Sequence, residues 1–143
     1  MPNRPARRAP ASPAAPIVQV FGRSDDQATR AALRFFKERR IVPHVVDLAR
    51  KPMAAGELRR FVERLGARAV ADTDGRAWRD SGLGYLTMSE SDLAGRLLAD
   101  QRLLRLPLVR VGAGVAAGRD EAAWKRLLSD ASADGSAPRP VAS

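Results

Sequence analysis

The sequence contains no cysteine and a single histidine, His44. The first absence excludes disulfides, thiolate metal sites and thiol catalysis by the chain's own residues. The second leaves no pair of imidazoles for a zinc site and little scope for a Ser-His-Asp triad within one chain. Aromatic residues make up only 5% of the 143 positions. That is few for a protein that holds single-stranded nucleic acid by base stacking. No run approaches the roughly 18–20 apolar residues needed to span a bilayer as a helix. Acidic residues are also in deficit, 16 against 25 Lys and Arg, for a net charge of +9. Such an excess suits an anionic partner or a solvated basic surface.

What is present is enough for one α/β core, with 45% hydrophobic residues. The first 16 residues, MPNRPARRAPASPAAP, and the last stretch, ADGSAPRPVAS, are rich in Pro, Ala and small polar residues. They read as disordered tails over 1–16 and 131–143, around a domain at 17–130. A cytoplasmic monomer is the expectation. Metal ligands and a resident cofactor are not expected.

Between the tails the pattern alternates between strand and helix. IVQVFG (17–22) is a short apolar run ending in Gly, as in a buried strand. Ser24 and Gln27 have capping-box spacing, which puts Asp25 and Asp26 in the first turn of a helix reaching about Arg40. Ala28, Ala31, Ala32, Phe35 and Phe36 would form its inner face. IVPHVVDL (41–48) reads as a second strand at a sheet edge or starting at Pro43. Strand, helix and strand in about 30 residues make a parallel βαβ unit. Residues 56–66 carry a helix with Leu58, Phe61, Val62 and Leu65 inward, and 67–88 are less regular, broken by Gly75, Gly82 and Gly84. Ser89 and Asp120 are placed to cap two further helices. Between these helices, 108–111 and 115–117 form an antiparallel hairpin around Gly112–Gly114. The order β-α-β-α-α-β-β-α is that of a thioredoxin-like (glutaredoxin-like) fold with a helical insertion between its βαβ and ββα halves.

Four segments in order, IVQVFGRSDDQATRAALRFFKERRI, KPMAAGELRRFVERLG, GRAWRDSGL and LLRLPLVRVGAGVAAGRDE, resemble the arsenate reductase and Spx family, the ArsC-like branch of thioredoxin folds. The resemblance implies a nucleophilic cysteine at the start of the first helix, three arginines around an oxyanion, and glutathione or glutaredoxin as the resolving thiol. It also implies a cis proline at Pro107, before the third strand. Spx-type relatives instead bind the C-terminal domain of the RNA polymerase α subunit. Residue by residue, Asp26 falls at the nucleophile and Thr29 at the second cysteine of a CxxC switch. Arg68 and Arg119 match two of the three arginines, and the third is Leu106, with Arg105 beside it as a substitute. Neighbours on an extended segment point to opposite sides, which weakens that substitution.

The resemblance therefore implies a cysteine-free member with no thiol reductase activity and no catalytic residue. Its remaining role would be binding a protein partner, such as the RNA polymerase α subunit. Candidate anion-binding residues are Arg68, Arg119 and Arg105. The alternative is an arsenate reductase-like enzyme that borrows an external thiol, glutathione, as its only cofactor. Nucleic acid is not the expected partner, although an Arg-rich tail could give salt-sensitive contact. Trp78 and Trp124 read as packing anchors, and His44 as an exposed strand residue.

Overall fold

In the first apolar run Val18 and Val20 fall on one side of an extended strand and Phe21 on the other, so one strand feeds two cores. In a computed structural model that describes residues 17–136, this run is β1 (Val18–Gly22). It is followed by α1 (Gln27–Glu38), β2 (His44–Asp47), α2 (Ala55–Leu65), α3 (Ala67–Val70) and α4 (Arg76–Ser81). Then come α5 (Glu90–Ala99), β3 (Leu108–Val111), β4 (Gly114–Ala117) and α6 (Glu121–Ser136). Single turns of 3-10 helix follow α4 and α5, at Leu83–Tyr85 and Gln101–Leu103.

The strands form one sheet in the order β2-β1-β3-β4. β1 and β2 are parallel, with Val20 opposite Val45. β1 and β3 are antiparallel, with Val20 opposite Val109, and β3 and β4 form the expected hairpin. Pro43, which has no N–H for a ladder, precedes β2 at the sheet edge. β2 is accordingly shorter than 41–48, and His44 is exposed. This is the α/β thioredoxin-like architecture read from the sequence.

Each sheet face carries its own core. Val18, Val20, Val109 and Val111 pack with Phe35 and Phe36 of α1 and Trp124 and Leu127 of α6. Phe21, Leu108 and Val115 pack on the other face with Leu58 and Phe61 of α2, Val70 of α3 and Leu97 of α5. Phe21 meets Phe61 edge to face, 5.8 Å between centroids. Trp124 is fully buried, and its Nε1–H has no acceptor among the described residues. Trp78 is buried as well, so both tryptophans are packing anchors.

The start of α1 corrects the sequence reading. The cap is Asp26, not Ser24: its carboxylate accepts from the backbone N–H of Thr29, and no acidic residue lies in the first turn. The chain first makes a turn in which Asp26 N–H donates to the Arg23 carbonyl. That turn delays the helix by two residues and takes Ser24 out of capping position. The other end of α1 closes on Arg40, which has φ 61° in the left-handed region. Arg40 N–H donates to Lys37 O and Ile41 N–H to Phe36 O, while Ile41 packs beside Phe36. This is a Schellman closure with Arg where Gly is usual.

The stretch 67–88 holds more helix than its sequence suggests, in the short pieces α3 and α4. α3 begins where Ala67 N–H donates to the Glu90 carboxylate at 2.6 Å, from the first turn of α5. Ser89 caps α5 through Asp92 N–H, and Asp120 caps α6 through Ala123 N–H, as expected. α6 runs past the boundary at 130 to Ser136. Of the tails read at 1–16 and 131–143, residues 1–16 and 137–143 lie outside the described residues.

Candidate functional site: a cleft of mixed charge

A cavity of about 370 Å³ opens where the start of α1, the segment entering β3 and the turn between β4 and α6 converge. Asp26 and Ala28 line it from the first, Arg105 and Leu106 from the second, Gly118 and Arg119 from the third. Asp72 and Arg102 complete its charged wall.

Asp26 Oδ2 accepts two hydrogen bonds from one residue, from Thr29 N at 2.8 Å and Thr29 Oγ1 at 2.7 Å. The Thr29 hydroxyl is buried, and Asp26 satisfies it. A Cβ on Gly22 would collide with the Thr29 side chain, so the glycine that ends β1 is needed for this contact. Asp26 is thus built into the strand-turn-helix corner.

The segment entering β3 is pinned on both sides. Arg105 N–H donates to Val70 O at 2.7 Å and Asp72 N–H to Leu103 O at 2.8 Å, around a bridge between Ala71 and Leu104. The Leu106–Pro107 bond is cis, as the family resemblance implies, and Gly118 N–H donates to Pro107 O at 2.9 Å. Gly118 has φ 82°, and a Cβ there would stand 2.7 Å from Arg105 Cδ. The Arg105 stem therefore lies across Gly118, which keeps its guanidinium at the cavity although Leu106 lines it too. A long side chain escapes the strict alternation expected of an extended segment.

Asp26, Arg105 and Arg119 are thus brought to one cavity. Arg68 is not among its lining residues: Ala67 and Val70 of α3 point into the core, and Arg68 between them is exposed. Arg102 and Asp72 are not among the positions to which the family pattern points. Arg102 is forked onto Asp100, with Nε to Oδ1 at 2.9 Å and Nη2 to Oδ2 at 2.8 Å. That hydrogen-bonded guanidinium holds the Asp100 carboxyl below the usual carboxylate range and raises Arg102. The Asp-x-Arg spacing was its signal. Asp72, in the turn after α3, had none. Among the described residues no cluster of His, Asp and Glu has the geometry to hold a metal ion, and no helix is long and apolar enough to cross a membrane.

The profile of the ArsC family matches residues 21–127. Solved structures share the fold. An arsenate reductase from Vibrio cholerae is 21% identical with a TM-score of 0.68, over 78% of this chain and 98% of its own. An ArsC family related protein from Bacteroides fragilis is 18% identical with a TM-score of 0.69, over 77% and 96%. A YffB protein is 17% identical with a TM-score of 0.71, over 78% and 98%. No curated protein matches the sequence.

Proposed function

Because the chain belongs to the ArsC family, we propose that it is a member without thiol chemistry, acting in the cytoplasm by binding a protein partner. The observation that carries this reading is Asp26. The resemblance places the nucleophile at this position, and the chain has no cysteine there or anywhere else. Reducing arsenic(V) to arsenic(III) takes two electrons. Two thiols supply them by joining in a disulfide, and a carboxylate has no such oxidation to offer. Asp26 is moreover occupied as the cap of α1 through Thr29, and its charge opposes an oxyanion at a helix start that would otherwise attract one.

A partner-binding role is supported by the excess of basic residues and by the helical insertion, which exposes Tyr85 and Leu86. Large aromatic and Arg side chains are the usual anchors of protein interfaces. By family resemblance the partner is the RNA polymerase α subunit. Purified protein incubated with arsenate, glutathione and glutaredoxin is expected to form no arsenite, and turnover would overturn the non-reductase reading. The immobilised C-terminal domain of the α subunit is expected to retain the protein, and failure to do so would overturn the choice of partner.

A second reading, a reductase that borrows glutathione, draws on Arg105 and Arg119 beside one cavity. It requires glutathione-dependent turnover that disappears when both are changed to Ala.

A further inference from the structure

β2 is an outer strand of the sheet, and among the described residues no strand pairs with its far side. A free edge is a template for another strand. Leu48 N–H donates to Gly22 O, and the parallel register sets Val46 beside Phe21 and His44 beside Gln19. Successive residues of a strand turn their backbone groups to opposite neighbours. His44, Val46 and Leu48 therefore bond to β1, and Pro43, Val45 and Asp47 face outward. Val45 presents a donor and an acceptor there, Asp47 a donor, and Pro43 an acceptor only. The Asp47 carbonyl is already taken, by Arg50 N–H at 3.0 Å and Lys51 N–H at 3.1 Å.

We propose that this edge pairs antiparallel with the same edge of a second copy of the chain, on a two-fold axis at Val45. Each Val45 N–H meets the other Val45 O, and each Asp47 N–H meets Pro43 O of the second copy. The donor that Pro43 lacks falls opposite the Asp47 carbonyl, which needs none. A slip of two residues one way sets Val45 N–H against that occupied carbonyl. A slip the other way leaves Val45 O against the proline ring. Proline on an edge usually blocks pairing; here it restricts pairing to one register. The side chains agree. Val45 is 47% exposed and covers its own counterpart, and Val42, 93% exposed, lies against Leu48 of the second copy. One sheet then continues across the axis, with four strands from each copy. Few residues meet, so the dimer belongs to the weak class that buries less than about 1,200 Å². This inference goes beyond the partner-binding reading and does not depend on it.

Sedimentation equilibrium of the full chain, taken up to about 1 mM, tests it. The weight-average mass should climb from 15.5 kDa toward twice that value. Added salt should tighten the dimer, because exposed Arg40 comes opposite Arg50 of the second copy. As concentration rises, deuterium exchange should slow several-fold at the Val45 and Asp47 amides and stay unchanged at Val46, whose N–H already bonds β1. Val45→Lys puts like charges on the axis at a half-exposed site. It should return the chain to monomer with its circular dichroism unchanged. The absence of cysteine permits a test of register. His44 of one copy lies directly opposite Val46 of the other, with Cβ atoms about 5 Å apart, whereas two copies of either residue lie about 7–8 Å apart on the diagonal. Mixed His44→Cys and Val46→Cys chains should therefore oxidise to a disulfide-linked heterodimer faster than either variant cross-links alone. A chain that stays monomeric at the highest concentration, as the sequence reading expects, overturns the proposal. So does association that salt weakens, a Val45→Lys chain that still dimerises, or single variants that cross-link as fast as the mixture.

Discussion

Asp26 has a structural role at a position where the family resemblance calls for chemistry. Its Oδ2 satisfies both an amide of α1 and the buried Thr29 hydroxyl. Asp26→Ala should cost about 1–2 kcal/mol, the upper part of the range for a lost cap. Asp26→Asn should cost less, and urea denaturation of the two variants separates them. A second residue-scale expectation concerns Asp100, whose carboxyl is held below the ordinary range by Arg102. A depressed folded value stabilises the native state above the unfolded carboxylate value, near 3.9. That contribution is lost as pH falls through the folded value. NMR titration should find the Asp100 carboxyl ionising below that reference and the Arg102 side-chain signals moving with it. Asp100→Asn should remove both. The site is only partly legible at this scale. Motif position alone points to Asp26, Arg105 and Arg119. It points equally to Arg68, whose actual place on a helix is set by which of its neighbours the core takes.

Among the elements, Arg40 is the one local conflict in α1. It closes the helix in the left-handed region, where a Cβ is crowded by the carbonyl. Arg40→Gly should therefore stabilise the protein by up to about 1 kcal/mol, the strain relieved less the entropy glycine adds to the unfolded chain. Thermal melts of the two proteins check the sign. Helix ends show why some elements are readable and others not. Ser89 and Asp120 cap as read, each accepting from the backbone N–H three residues on. Before α1, Ser24, Asp25 and Asp26 compete, and the choice falls to a turn closed by Arg23 and a hydroxyl on Thr29. α3 and α4 are too short to show a helical period. Burial of Ala67, Val70 and Trp78 against the core supports them instead.

For the molecule as a whole, the sheet is shared by two cores, with β1 and β3 contributing to both. Neither core can loosen without disturbing the strands that the other packs on. Phe61→Ala on one face and Trp124→Ala on the other should each cost about 3–5 kcal/mol. Each variant that still folds should lose near- and far-ultraviolet circular dichroism in a single coincident transition. Two separate transitions would mean that the faces unfold independently. This scale is the most legible from sequence, because the short apolar run at 17–22 and the βαβ spacing constrain topology more tightly than any one cap.

The hydrogen bond from Ala67 N–H to the Glu90 carboxylate joins the first residues of two helices that lie 23 positions apart in sequence. α3 has only four residues, too few to persist on their own. Its leading amide is protected by a side chain that arrives only when α5 has docked. Undocking of α5 should therefore free the start of α3. The rate at which the Ala67 amide exchanges with deuterium becomes a clock for α5 undocking: Glu90→Ala should speed it while leaving amides of β1 and β3 protected.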